Sequence, residues 1–126
     1  MASDFPKNKP ENKLEWSERE LIFNISEIFA EANSEVLVGI GDDAAVVARP
    51  EAPVVVTTDM AVEDVHFKVN WSSAEEIGRK IAAANLADIY AMAGKPKYLT
   101  VAMSATGKEE FEWMLGIARE IGRAHV

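Results

Sequence analysis

The chain has 126 residues and a mass of 13.8 kDa, enough for one modest core. Thirteen Lys and Arg stand against twenty-one Asp and Glu, and the formal charge of −8 opposes long-range attraction to nucleic acid or an anionic membrane. The absence of Cys excludes disulfides, thiolate metal sites and a Cys nucleophile, and fits a reducing, cytoplasmic location. At 48% apolar the composition is that of a folding domain, and apolar runs such as Pro53–Val56 and Ile81–Ala84 are too short to span a bilayer.

Residues 1–15 read as a disordered tail without the apolar stretch of a secretory signal, followed by one domain over 16–126. Ser17-Glu18-Arg19-Glu20 is a capping box, and Leu21, Ile22, Ile25, Ile28 and Phe29 form one stripe, predicting a helix from Ser17 to Glu31. Val36–Val38, Ala45–Val47, Val54–Val56 and Val65–Val69 are short β-branched runs separated by Gly, Asp and Pro. Val54–Val56 is apolar throughout, which predicts a strand covered on both faces. Ser72 or Ser73 caps a second helix that continues to Met92 and stops at Gly94, and its many Ala residues predict close contact with another surface. Tyr98–Ser104 alternates as a fourth long strand. Thr106-Gly107-Lys108-Glu109 is a capping box for a third helix with Phe111, Leu115, Ala118 and Ile121 inward. The order α-β-β-β-α-β-α predicts an α+β fold: a mostly antiparallel four-stranded sheet with helices on one face. Arg123–Val126 reads as the lead-in to another strand, so the chain is expected to be part of something longer.

The aspartates are the sharpest signal, with Asp42, Asp43, Asp59, Asp64 and Asp88 gathered between positions 42 and 88. Turn preference explains part of this. It does not explain Asp59 at the end of the most apolar run, nor Asp88, which shares a stripe with Ile81 and Met92 and is expected to face inward at a cost unless partnered. From Gly39 to His66 there are six acids and only one base, Arg49. Hard oxygen ligands drawn from a loop, a strand end and a helix suit Mg²⁺ bridging a polyphosphate, and a solvated acidic rim is the alternative. Gly39-Ile40-Gly41-Asp42-Asp43-Ala44 formally matches a dinucleotide fingerprint, but the residues after it are β-branched and run to Pro50 instead of opening a helix. Gly107-Lys108 lacks the remainder of a P-loop. His66, beside the acids, is either a structural His or a donor to an anionic substrate oxygen. Asn85 shares a helical face with Asp88 or serves packing alone.

Four segments together carry a resemblance: Gly39-Ile40-Gly41-Asp42-Asp43-Ala44-Ala45-Val46, Thr57-Thr58-Asp59-Met60, Val62-Glu63-Asp64-Val65-His66-Phe67 and Asn85-Leu86-Ala87-Asp88-Ile89-Tyr90-Ala91-Met92. In order and spacing they resemble the N-terminal domain of the thiamine-monophosphate kinases, within the superfamily of aminoimidazole ribonucleotide synthetase, selenophosphate synthetase and a hydrogenase-maturation protein. The resemblance implies ATP-dependent phosphorylation of thiamine monophosphate to thiamine diphosphate, with several Mg²⁺ ions bridging ATP and substrate. It implies Asp43, Thr57, Thr58, Asp59 and Asp88 as the metal-binding set, with Asp42 next to them, and His66 as the substrate contact. No general base stands out, as suits phosphoryl transfer by positioning and charge neutralisation. The resemblance also implies a homodimer in which two half-barrels close into one, and a further region, beyond these residues, that completes the nucleotide and thiamine sites. Most nucleotide contacts would lie there, and the fragment alone is expected to be inactive. Asp64 departs from the Gly common in the family after Val-Glu, and Ala93-Gly94-Lys95-Pro96 departs from its usual Met-Gly-Ala. Two other readings are a different ATP-using enzyme of the superfamily and a non-catalytic dimerisation or cation-binding module.

Overall fold

The structure, a computed structural model, describes residues 16–30 and 33–124. The predicted tail over 1–15, the predicted helix end at Glu31 and the last two residues of the predicted strand lead-in lie outside the described residues. The elements are α1 (Glu18–Ile28), β1 (Val36–Val38), β2 (Val46–Val47), α2 (Ala74–Ala91) and α3 (Phe111–Arg123).

Local chemistry sets the helix starts. The Ser17 hydroxyl accepts the Glu20 N–H at 3.1 Å, and Glu18 and Glu20 complement the positive end of α1. Ser73, not Ser72, caps α2 through a full box: its hydroxyl accepts the Glu76 N–H at 3.2 Å, and the Glu76 carboxylate accepts the Ser73 N–H at 2.8 Å. The end of α2 falls one residue earlier than the position of Gly94 implies. Ala93 takes the left-handed conformation (φ 56°), with its N–H on the Tyr90 carbonyl and the Gly94 N–H on the Ile89 carbonyl, each at 2.9 Å. Ala93→Gly should therefore raise the unfolding free energy by about 0.5–1 kcal/mol, measurable by urea titration.

The predicted box at Thr106–Glu109 does not cap α3. It closes a turn of its own ahead of the helix, whose N-cap is Glu110 without a side-chain bond. The Glu109 carboxylate accepts from the Thr106 N–H (3.0 Å), the Thr106 hydroxyl (2.9 Å) and the Gly107 N–H (2.8 Å). Partial burial opposes ionisation of Glu109, but these donors prevail and hold its carboxyl at about 2, below the ordinary 4.5. A carboxyl depressed on folding contributes stability above pH 4.5 that is lost as the pH falls from there toward about 2. Glu109→Gln should remove this part of the acid limb and lower stability at pH 7 by on the order of 1 kcal/mol, read from thermal melts across pH.

α3 lies between the other helices and is buried on both sides. Trp16, Leu21, Met114 and Leu115 form the cluster toward α1, where the Trp16 indole N–H donates to the Glu109 carbonyl at 3.0 Å and its ring meets Phe111 at 6.0 Å between centroids. Ala74, Ile77, Ala82, Ile117 and Ile121 form the cluster toward α2. Of the predicted inward stripe of α3, Leu115, Ala118 and Ile121 are buried, and Phe111 packs at the margin. Glycines set the α2–α3 distance: a Cβ on Gly78 would lie 2.5 Å from the Ile117 carbonyl oxygen, and one on Gly116 would lie 2.9 Å from the Ala74 Cβ. Glu120 is buried at this crossing, paired with Arg79 at 3.1 Å and with Arg123. Its burial opposes ionisation, and the two guanidinium groups overcome that and hold the carboxyl below the usual range.

β1 and β2 pair antiparallel, Val36 with Val47 and Val38 with Val46, across an irregularity. The sheet among the described residues is two-stranded, and neither Val54–Val56 nor Tyr98–Ser104 carries strand pairing there. Val54–Val56 is not covered on both faces as predicted: Val54 and Val56 are 64% and 84% exposed, because no second layer among the described residues reaches them. Val65–Val69 begins in a turn, since the Val65 and His66 N–H groups both return to the Val62 carbonyl. The Ala-rich helix is close-packed at one face only, with Ala74 and Ala82 buried and Ala83, Ala84, Ala87 and Ala91 exposed. No helix among the described residues is long and apolar enough to cross a membrane.

Candidate functional site

α3 covers the first half of α2, where Ala74, Ile77, Gly78 and Ala82 are buried, and leaves the second half exposed. Asp88 stands on that free half. It is exposed, as is Met92 at 68%, which overturns the expectation of an inward carboxylate and the burial cost attached to it. Asp88 instead accepts a hydrogen bond: the Thr57 hydroxyl donates to Oδ2 at 3.2 Å. One turn earlier, Asn85 Oδ1 accepts the Asp59 N–H at 3.1 Å, while its Nδ2 donates to the Ile81 carbonyl at 3.0 Å. Asn85 is thus an anchor that ties residues 57–59 to α2 and leaves the Asp59 carboxylate free.

His66 stands in a tight turn over Val62–Phe67, not on a strand. The Val65 and His66 N–H groups donate to the Val62 carbonyl at 3.2 and 2.8 Å, and the Asp64 N–H donates to the Phe67 carbonyl at 2.8 Å. Asp64 takes φ 64° there, the left-handed region that Gly enters most easily, and lies 3.9 Å from the Lys68 ammonium. The imidazole Nδ1 accepts the Val62 N–H at 3.0 Å, and the Lys80 ammonium donates to the His66 carbonyl at 2.7 Å. Between this turn, residues 59–61 and α2 lies a cavity of about 140 Å³ whose walls include Asp59, Met60, His66, Phe67, Lys80 and Asn85.

The structure therefore gathers Thr57, Asp59, Asn85 and Asp88 on one helix face and sets His66 across a cavity from Asp59. It does not draw in the remaining candidates. Asp42 and Asp43 sit on an exposed loop turned at Gly41 (φ 112°), where Asp42 Oδ1 accepts the Asp43 N–H at 2.8 Å, and Thr58 is exposed. Among the described residues no group of three or more His, Asp or Glu is disposed to hold a metal ion. The donor chemistry nevertheless fits one. Asp59 and Asp88 offer hard carboxylate oxygens and Thr57 a hydroxyl, the types Mg²⁺ takes alongside water and phosphate oxygens. No Lys or Arg is within ion-pair distance of Asp42, Asp43, Asp59 or Asp88 among the described residues. Lys80, which also lines the cavity, is not singled out by the sequence, although Lys80, Ala84 and Asp88 recur every four residues and share one face of α2.

The family model for the AIR synthase related protein, N-terminal domain, matches residues 41–125, which takes in the acidic loop, the 57–59 segment, the His66 turn and α2. The chain is 48% identical over 77 residues to a thiamine-monophosphate kinase of Bacillus subtilis, covering 60% of this chain and 24% of that protein. It is 46% identical over 81 residues to one of Corynebacterium glutamicum, covering 63% of this chain and 24% of that protein. To one of Haemophilus influenzae it is 37% identical over 79 residues, covering 62% and 24%. The chain spans about a quarter of the length of these curated relatives. No solved structure matches. With the model covering well over half of its residues, the chain belongs to the AIR synthase related protein, N-terminal domain family.

Proposed function

We propose that this chain is the N-terminal, metal-binding and dimer-forming part of a cytoplasmic kinase that transfers the γ-phosphoryl of ATP to thiamine monophosphate, giving thiamine diphosphate. The observation that carries the reading is the docking of Thr57 and Asp59 on Asp88 and Asn85 beside the His66 cavity. Relatives bearing the thiamine-monophosphate kinase name support the substrate. In this reading Asp59, Asp88 and Thr57 would hold Mg²⁺, with Asp43, Asp42 and Thr58 as further oxygen ligands. Bound there, Mg²⁺ would supply charge neutralisation for phosphoryl transfer. His66 donates to an oxygen of thiamine monophosphate, and a cavity of about 140 Å³ is of the size that admits one small ring. No residue acts as general base.

The dimer in this reading completes the sheet. Val54, Val56, Tyr98, Val101 and Met103 are exposed on segments without strand pairing, an apolar surface of the kind a second copy covers. The proposed four-stranded, mostly antiparallel half-barrel, with helices on one face, would form as two copies meet through these segments. The test is an assay of the complete polypeptide that carries this sequence. Formation of thiamine diphosphate from ATP and thiamine monophosphate, lost with chelator and restored by Mg²⁺, is the expected result. Phosphorylation of a different acceptor by that polypeptide would overturn the reading in favour of another ATP-using enzyme of the superfamily. The absence of any ATP-dependent transfer would favour a non-catalytic module.

A further inference from the structure

We infer that Lys80 is a positioning residue that fixes His66 as an Nε2–H donor facing the cavity, and this rests on the function proposed above. Every other hydrogen-bonding valence of His66 is already committed. Its backbone N–H donates to the Val62 carbonyl at 2.8 Å, and its carbonyl accepts from the Lys80 ammonium at 2.7 Å. Its Nδ1 accepts the Val62 N–H at 3.0 Å. A backbone N–H only donates, so Nδ1 carries a lone pair and the neutral ring holds its proton on Nε2. The ring therefore offers a substrate one donor and no acceptor, which selects an anionic or carbonyl oxygen over a donor group. Val62 to His66 are exposed and Asp64 sits in a left-handed conformation; Phe67 packs against the α2–α3 cluster at one end of the turn, and the His66 end is left to its local bonds and Lys80. Lys80 ties it to α2, the helix that carries Asn85 and Asp88. The distance between the substrate-facing imidazole and the phosphate-facing carboxylates is thereby set by one rigid element.

Lys80→Met keeps the aliphatic stem on an exposed helical position and removes the donor, while Lys80→Arg keeps a cationic donor. In the complete kinase, Lys80→Met should raise KM for thiamine monophosphate about tenfold, a loss of about 1.4 kcal/mol in binding, with kcat and KM for ATP nearly unchanged. Lys80→Arg should recover most of that loss. Independently of activity, long-range ¹H–¹⁵N spectra of the full chain, with His66 assigned by comparison with His66→Gln, should show the Nε2–H tautomer in wild type and a tautomer mixture in Lys80→Met. An Nδ1–H tautomer in wild type, or an unchanged tautomer in Lys80→Met, would overturn the inference even if KM rose, since the ammonium would then be touching substrate directly. An unchanged KM would overturn it as well. Because the spectra need no substrate, they also separate failure of this inference from failure of the kinase reading.

Discussion

On the proposed function, Asp88→Asn and Asp59→Asn, made singly in the complete polypeptide that carries this sequence, should each lower kcat by about 10²–10³-fold while leaving the melting temperature unchanged or slightly raised. Both carboxylates are exposed, so removing their charge leaves no buried group unsatisfied. An Asn at position 88 still presents an oxygen to the Thr57 hydroxyl, which now donates to Asp88 at 3.2 Å. The Asp59 contact with Asn85 runs through the backbone N–H and survives any side-chain change at 59. The fold thus loses little. On the proposed reading a bound Mg²⁺ would lose a negative ligand, and with it much of its affinity. Raising Mg²⁺ should recover part of the loss. Turnover equal to wild type in either variant would remove that residue from the ligand set, and a fall in turnover matched by a fall in melting temperature would assign it a structural role.

Gly78→Ala should lower stability by about 3 kcal/mol, a fall of roughly 10–20 °C in melting temperature for a domain of this size. The added Cβ would stand 2.5 Å from the Ile117 carbonyl oxygen and 3.1 Å from its Cα, and backbone atoms inside a helix have nowhere to retreat. α2 and α3 must separate, which opens the cluster of Ile77, Ala82, Ile117 and Ile121 and stretches the contact of Arg79 with buried Glu120. The substitution improves helix propensity at this position, so a loss of stability isolates the packing term. Gly39→Ala is the control: its Cβ would meet only the Val36 Cγ1 at 3.6 Å, an ordinary contact, and the melting temperature should hardly move. Equal melting temperatures for wild type and Gly78→Ala would show that the helices do not cross at this distance.

The two results bear on different parts of one arrangement. The Gly78 crossing holds the first half of α2 against α3, while the second half projects free of α3 and carries Asn85 and Asp88. Packing and the candidate site residues are thus divided along one helix of 18 residues. Damage at the crossing should reach the site only through the position of α2. That predicts loss of turnover in Gly78→Ala in proportion to unfolded protein, unlike the loss in Asp88→Asn.

Helix positions were legible in the amino-acid order, because capping and 3.6-residue periodicity act within a few residues of chain. Ser17 and Ser73 bond their own first turns, and the stripe of Leu115, Ala118 and Ile121 needs only the period of a helix to be seen. Aspartates too abundant for turns alone could likewise be singled out one by one. Which side of α2 would be covered was not legible, since Ile81, Asp88 and Met92 lie on one stripe and only the point at which α3 crosses decides that Asp88 emerges into solvent. Nor could the order of residues show that Asn85 would grip the Asp59 backbone or that Lys80 would reach the His66 turn, contacts spanning 26 and 14 positions. Local bonding is written in neighbouring residues, whereas the pairing of distant ones depends on how whole elements pack, and that is settled only in three dimensions.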